Sequence, residues 1–129
     1  MQDNKRMFRG MFLAATALTA LAGCGGGGDL ENGVTALQAS PATASFAGPN
    51  TSTCYTGSGG RYFIYGGNAP YIIQNALPAF MTVSTTKVND VGGSFDVTLL
   101  GACMTNGTIN ITDAMGRLVT VTINDTIGQ

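Results

Sequence analysis

Two stretches near the C-terminus alternate apolar and polar residues with period two, and no other feature of the chain constrains its fold as strongly. Ile109 and Ile111 sit between Thr108, Asn110 and Thr112, and Val119, Val121 and Ile123 are interleaved with Thr120, Thr122 and Asn124. Period two sends successive side chains to opposite faces of an extended strand, so each stretch offers one face to a core and one to water. Between them, Asp113-Ala114-Met115-Gly116 places Asp at the start of a type I turn and Gly where a left-handed residue is needed, which predicts a hairpin.

The same pattern recurs upstream in shorter pieces. Phe95, Val97 and Leu99 alternate with Ser94, Asp96 and Thr98 behind a Gly92-Gly93 turn. Tyr62 and Ile64, with Tyr71 and Ile73 across the break Gly66-Gly67-Asn68-Ala69-Pro70, are expected to supply the sheet opposite. Turn residues punctuate these pieces about every ten positions, the signal of an all-β sandwich or barrel. Strands are predicted over residues 35–39, 44–46, 61–65, 71–75, 81–84, 94–100, 108–112 and 118–124.

The first quarter of the chain reads differently. Lys5, Arg6 and Arg9 form a basic start, Met11 to Leu21 an apolar run too short for a permanent membrane span, and Leu21-Ala22-Gly23-Cys24 closes it. This segment resembles the signal peptide and lipobox of bacterial lipoproteins. The resemblance implies cleavage before Cys24, a diacylglycerol thioether on that cysteine and acylation of the amine it exposes. An ordinary signal peptide with a chance cysteine at its cleavage site is the alternative. Gly25, standing where Asp would favour inner-membrane retention, points by analogy to the outer membrane of the cell envelope. Gly25 to Gly33 then reads as a tether, since no strand precedes Gly25–Gly28 and no Lys-Ser/Thr follows to make a phosphate loop. The expected organisation is a signal peptide over 1–23, lipidated cysteine and tether over 24–33, and one β-sandwich domain over 34–129.

Within that domain the order Tyr62-Phe63-Ile64-Tyr65-Gly66-Gly67-Asn68-Ala69-Pro70-Tyr71, then Gly92-Gly93-Ser94-Phe95, then Cys103, then Ile109 to Asp113 and Gly116, is similar to bacterial immunoglobulin-like domains of surface lipoproteins. The resemblance covers residues 37–123 and implies an immunoglobulin-like, predominantly antiparallel sandwich. Such domains commonly come in tandem, whereas one is present here. Once Cys24 is lipidated, Cys54 and Cys103 remain as the only cysteines of an exported domain, and a disulfide between them is expected; two buried free thiols are the other reading.

Several chemistries are excluded or weakly signalled. The chain has no His, so neither a Ser-His-Asp nor a Cys-His arrangement can form and imidazole metal ligands are missing. Lys87 lies in a polar loop, and it and the Asp residues are expected to solubilise the surface; no enzyme activity, cofactor or metal site is anticipated. Asn89, Asp90 and Asp113 have oxygens that suit calcium, but turn formation accounts for them. After cleavage three basic residues face six acidic ones, a net charge of −3, which does not suit nucleic acid. Met104, Met115 and Phe80-Met81 either fill core gaps or cluster as an apolar patch at one end.

Tyr62, Phe63 and Tyr65 cannot all share one face of a strand. If Phe63 and Tyr65 point outward, they form a flat aromatic strip suited to a sugar or a protein; the competing reading has them covered by a loop or by the tether. The expected function is that of a lipid-anchored envelope protein with a non-catalytic module. That module is either structural or a binder of an unidentified protein or glycan, and the membrane is its partner through Cys24.

Overall fold

The structure is a computed structural model that describes residues 35–129. The expected signal peptide, Cys24 and the whole of the expected tether lie outside the described residues. Among the described residues nine strands form two packed sheets: β1 Gln38–Ser40, β2 Thr43–Ala47, β3 Thr56–Tyr65, β4 Tyr71–Asn75, β5 Met81–Val83, β6 Lys87–Val88, β7 Ser94–Leu100, β8 Met104–Thr112 and β9 Leu118–Thr126. One sheet runs β1-β3-β7-β5 and the other β2-β9-β8-β4-β6. All pairings are antiparallel except β2 with β9. This is the all-β sandwich the sequence predicts. Apart from the edge strands β2 and β6, the four strands β1-β3-β7-β5 pack against the three strands β9-β8-β4.

The core is where the alternating faces meet. Tyr62, Ile64, Phe95, Val97, Leu99 and Met81 from the first sheet face Tyr71, Ile73, Ile109, Ile111, Val121 and Ile123 from the second, all essentially inaccessible to water. The two large aromatic residues that bring a hydroxyl inside satisfy it locally. Tyr62 donates to the carbonyl of Gly59 at 2.6 Å and Tyr71 to that of Gly66 at 2.5 Å, so neither burial leaves an unpaired polar group. Burial raises the pKa of both phenols above the ordinary tyrosine value.

Besides shifted strand ends, with β1 at 38–40 instead of 35–39 and β8 starting at Met104 instead of 108, the structure departs from the sequence reading at four points. Tyr62–Ile64 and Tyr71–Ile73 do not share a sheet: β3 pairs with β1 and β7, whereas β4 pairs with β8 and β6. The five-residue break, with Gly66 and Gly67 both at positive φ, carries the chain across to the other layer instead of folding it back as a hairpin. Strand β3 starts at Thr56, five residues before the predicted start, and takes up the irregular Thr56-Gly57-Ser58-Gly59-Gly60 through a register shift between Ser58 and Arg61. Lys87, expected in a loop, opens the short edge strand β6. Finally, Asp113 and Asp125, expected to solubilise the surface, are buried, at 5% and 1% exposure. Each faces inward at the end of a strand, where backbone N–H groups need an acceptor.

Candidate binding surface

Three outward positions of β3, at intervals of two, form a row along the outer face of the first sheet: Arg61, Phe63 and Tyr65. Their exposure follows from that of their neighbours, because Tyr62 and Ile64 take the inward positions and are fully buried. Phe63 is 37% and Tyr65 43% exposed, and their rings stack with centroids 6.4 Å apart and planes 22° from parallel. Across the sheet, Phe63 lies between Ser40 of β1 and Ser94 of β7, and Tyr65 lies opposite Gln38. These cross-strand neighbours are polar, and both rings stay partly open to solvent. The aromatic strip is therefore present as an exposed, adjacent pair.

Next in the row, the Arg61 guanidinium grips Asp96 of β7 in a two-pronged pair, Nε to Oδ1 at 2.8 Å and the second nitrogen to Oδ2 at 3.2 Å. The hydrogen bond to Arg61 holds the Asp96 carboxyl below its ordinary pKa, and the same bond raises that of Arg61. Both side chains are half in water, so the pair adds little stability. It provides a fixed, charge-balanced hydrogen-bonding group beside two apolar rings.

At the end of the sandwich near Tyr65, the two glycine-marked segments of the sequence meet. Asp113 accepts the N–H groups of Met115 and Arg117 in its own turn and of Asn68 in the β3–β4 connection, and its Oδ2 lies 2.9 Å from Nε of Arg117. Gly116 has φ of 84°, the left-handed position the hairpin reading requires. Burial alone pushes the Asp113 pKa up, but the three backbone donors and the Arg117 charge outweigh it, and the net shift is downward. Turn formation thus accounts for Asp113, and its oxygens are engaged with protein donors instead of pointing to a ligand.

Cys54 and Cys103 are joined at the opposite end, with Cα atoms 5.2 Å apart, linking the approaches to β3 and β8 across the two sheets. Beside the bridge an open groove of about 590 Å³ is lined by Ala47, Pro49, Thr53, Cys54, Tyr55 and Thr56. Its one ring, Tyr55, stacks on Phe46 with centroids 5.4 Å apart. Buried Met81 and Met104 fill core space, while Met115 stands exposed in its turn, so the four residues Met104, Met115, Phe80 and Met81 form no common patch. Among the described residues no group of three or more potential ligands could hold a metal ion, and no helix is long and apolar enough to cross a membrane.

A disulfide-linked β-sandwich with an open aromatic strip on one sheet is the class these observations define. In comparisons with known proteins, no family model, no curated protein and no solved structure matches the chain.

Proposed function

We propose that the chain is a lipoprotein of the bacterial cell envelope, held to a membrane by lipid on Cys24, with the outer membrane favoured. In this reading its sandwich is a non-catalytic binding module of immunoglobulin-like family, which presents Phe63 and Tyr65 to a glycan or protein. The observation that carries the binding role is the exposed, stacked Phe63–Tyr65 pair with the Arg61–Asp96 pair beside it. Flat aromatic surface contributes contact area at small entropic cost, and a fixed polar pair at its edge orients what lies on it. The lipid anchor is supported by the sequence Leu21-Ala22-Gly23-Cys24 behind its basic and apolar segments, and the non-catalytic role by the absence of histidine.

Replacing Phe63 and Tyr65 together by Ala tests the binding role. Retention of the protein on host-cell or envelope material is expected to fall, while thermal stability changes by no more than about 1.5 kcal/mol, since the pair is exposed and stacks only on itself. Unchanged retention would leave a spacer domain in place of a binder.

A further inference from the structure

The three most exposed large apolar side chains among the described residues are Met115, Leu118 and Val91, at 63, 62 and 58%. All three lie at one end of the sandwich. Met115 is in the β8–β9 turn and Leu118 opens β9, in line across the sheet with Thr112 and with Ile72, itself 44% exposed. That turn is tied to the β3–β4 connection, where Ala114 donates to the carbonyl of Asn68. Val91 precedes Gly92 and Gly93, which exchange backbone hydrogen bonds with Ile64 near the end of β3. This is also the end where the described chain begins, because Gly67 donates to the carbonyl of Thr35 at 2.7 Å.

The position of Thr35 bears on what this end meets. Eleven residue steps separate Cys24 from Thr35, a reach of at most about 40 Å even fully extended. Strand β3 has ten residues, so the sandwich is roughly 33 Å from this end to the disulfide end. With Cys24 in a bilayer, the apolar end is the one next to the lipid, and presenting the other end would consume nearly the whole reach. The charge at this end is close to balanced: the Asp113 carboxylate is neutralised by Arg117, and of the exposed charges Asp90, beside Val91, is offset by Lys87, opposite Ile72, which phosphate headgroups attract.

We infer that this end of the sandwich rests on the membrane surface, with Met115, Leu118 and Val91 seated at the boundary between headgroups and acyl chains. The inference rests on the lipid-anchor reading. Three separated side chains bind a bilayer weakly by themselves, but the anchor holds them at high effective concentration beside it. The contact also fixes the orientation of the domain, placing the Phe63–Tyr65 strip upright just above the lipid.

The chain contains no Trp, so a single introduced Trp reports on its own surroundings. The full chain, processed in a Gram-negative host, is reconstituted in phosphatidylethanolamine–phosphatidylglycerol vesicles with acyl-brominated lipid, carrying M115W, V91W or, at the disulfide end, L100W. The expected result is quenching of M115W and V91W several-fold stronger than that of L100W, whose position is likewise exposed. Vesicles that carry the protein on flotation but quench none of the three, or quench all three alike, would overturn the contact while leaving the anchor intact. Protein that fails to float with vesicles would remove the anchor and the contact with it. Quenching of M115W alone or V91W alone, with L100W unquenched, still supports the contact, which keeps the test informative if one variant folds poorly.

Discussion

Asp113 is a surface-turn residue by sequence and a buried carboxylate by structure, and the difference has a measurable consequence. Its folded pKa is depressed, so the unfolded chain binds this proton more readily than the folded one. The stability it contributes is complete above the ordinary carboxylate pKa of about 3.9 and is lost as pH falls through the lower folded value. Thermal melts are therefore expected to decline below about pH 4, and D113N, which keeps a carbonyl acceptor but no charge, to flatten that decline. D113A is expected to cost roughly 2–4 kcal/mol at neutral pH, because three N–H donors and Arg117 lose their acceptor together. A D113N protein with the wild-type acid profile would assign the proton linkage elsewhere. Phe63 and Tyr65 were open to sequence reasoning by parity alone, since Tyr62 and Ile64 claim the inward positions; the burial of Asp125, which accepts the Tyr55 N–H at 2.8 Å, gave no such signal.

Strands with a long alternating pattern could be read directly: β4 and β7 fall where the alternation places them, β9 runs two residues further, and β8 contains the predicted 108–112 but starts at Met104, ahead of the alternation. Two kinds of element could not. The first half of β3 is Thr-Gly-Ser-Gly-Gly, with no apolar period to detect, and β6 has only two residues. Sheet membership was also out of reach for β3 and β4, because a five-residue connection is equally compatible with a hairpin and with a crossing between layers, and only the distant partners β7 and β8 decide between them. The disulfide acts at this scale too. It spans 49 residues of sequence and ties the approach of β3 to that of β8, and the chain-entropy model gives such a closure about 4 kcal/mol. A C54S/C103S double variant is expected to unfold at a clearly lower urea concentration with a similar slope, a large loss for a domain whose total stability is about 5–15 kcal/mol. An unchanged midpoint would mean that the bridge adds nothing to an already sufficient core.

Over the whole molecule, the chain changes sheet at every connection from β1 to β8, and only the last, from β8 to β9, is a hairpin within one sheet. Nearly every pairing thus waits on residues far away in sequence, and stopped-flow refolding with the disulfide intact is expected on the scale of milliseconds to seconds. Microsecond refolding would contradict that reading of the topology. The same crossing pattern leaves the Asp113 turn, the Val91 turn and Thr35 at one end and the disulfide at the other, so an anchor attached ahead of Thr35 gives the domain a direction. The proposed membrane contact rests on the proposed lipid anchor, and the proposed binding role is placed at the cell envelope by it. The most direct measurement is therefore radiolabelled palmitate incorporation by the full chain expressed in a Gram-negative host, beside C24S. The account predicts label on the wild-type membrane-associated protein and none on C24S, with both folding to the same disulfide-linked sandwich; an unlabelled, soluble periplasmic wild-type protein would contradict it.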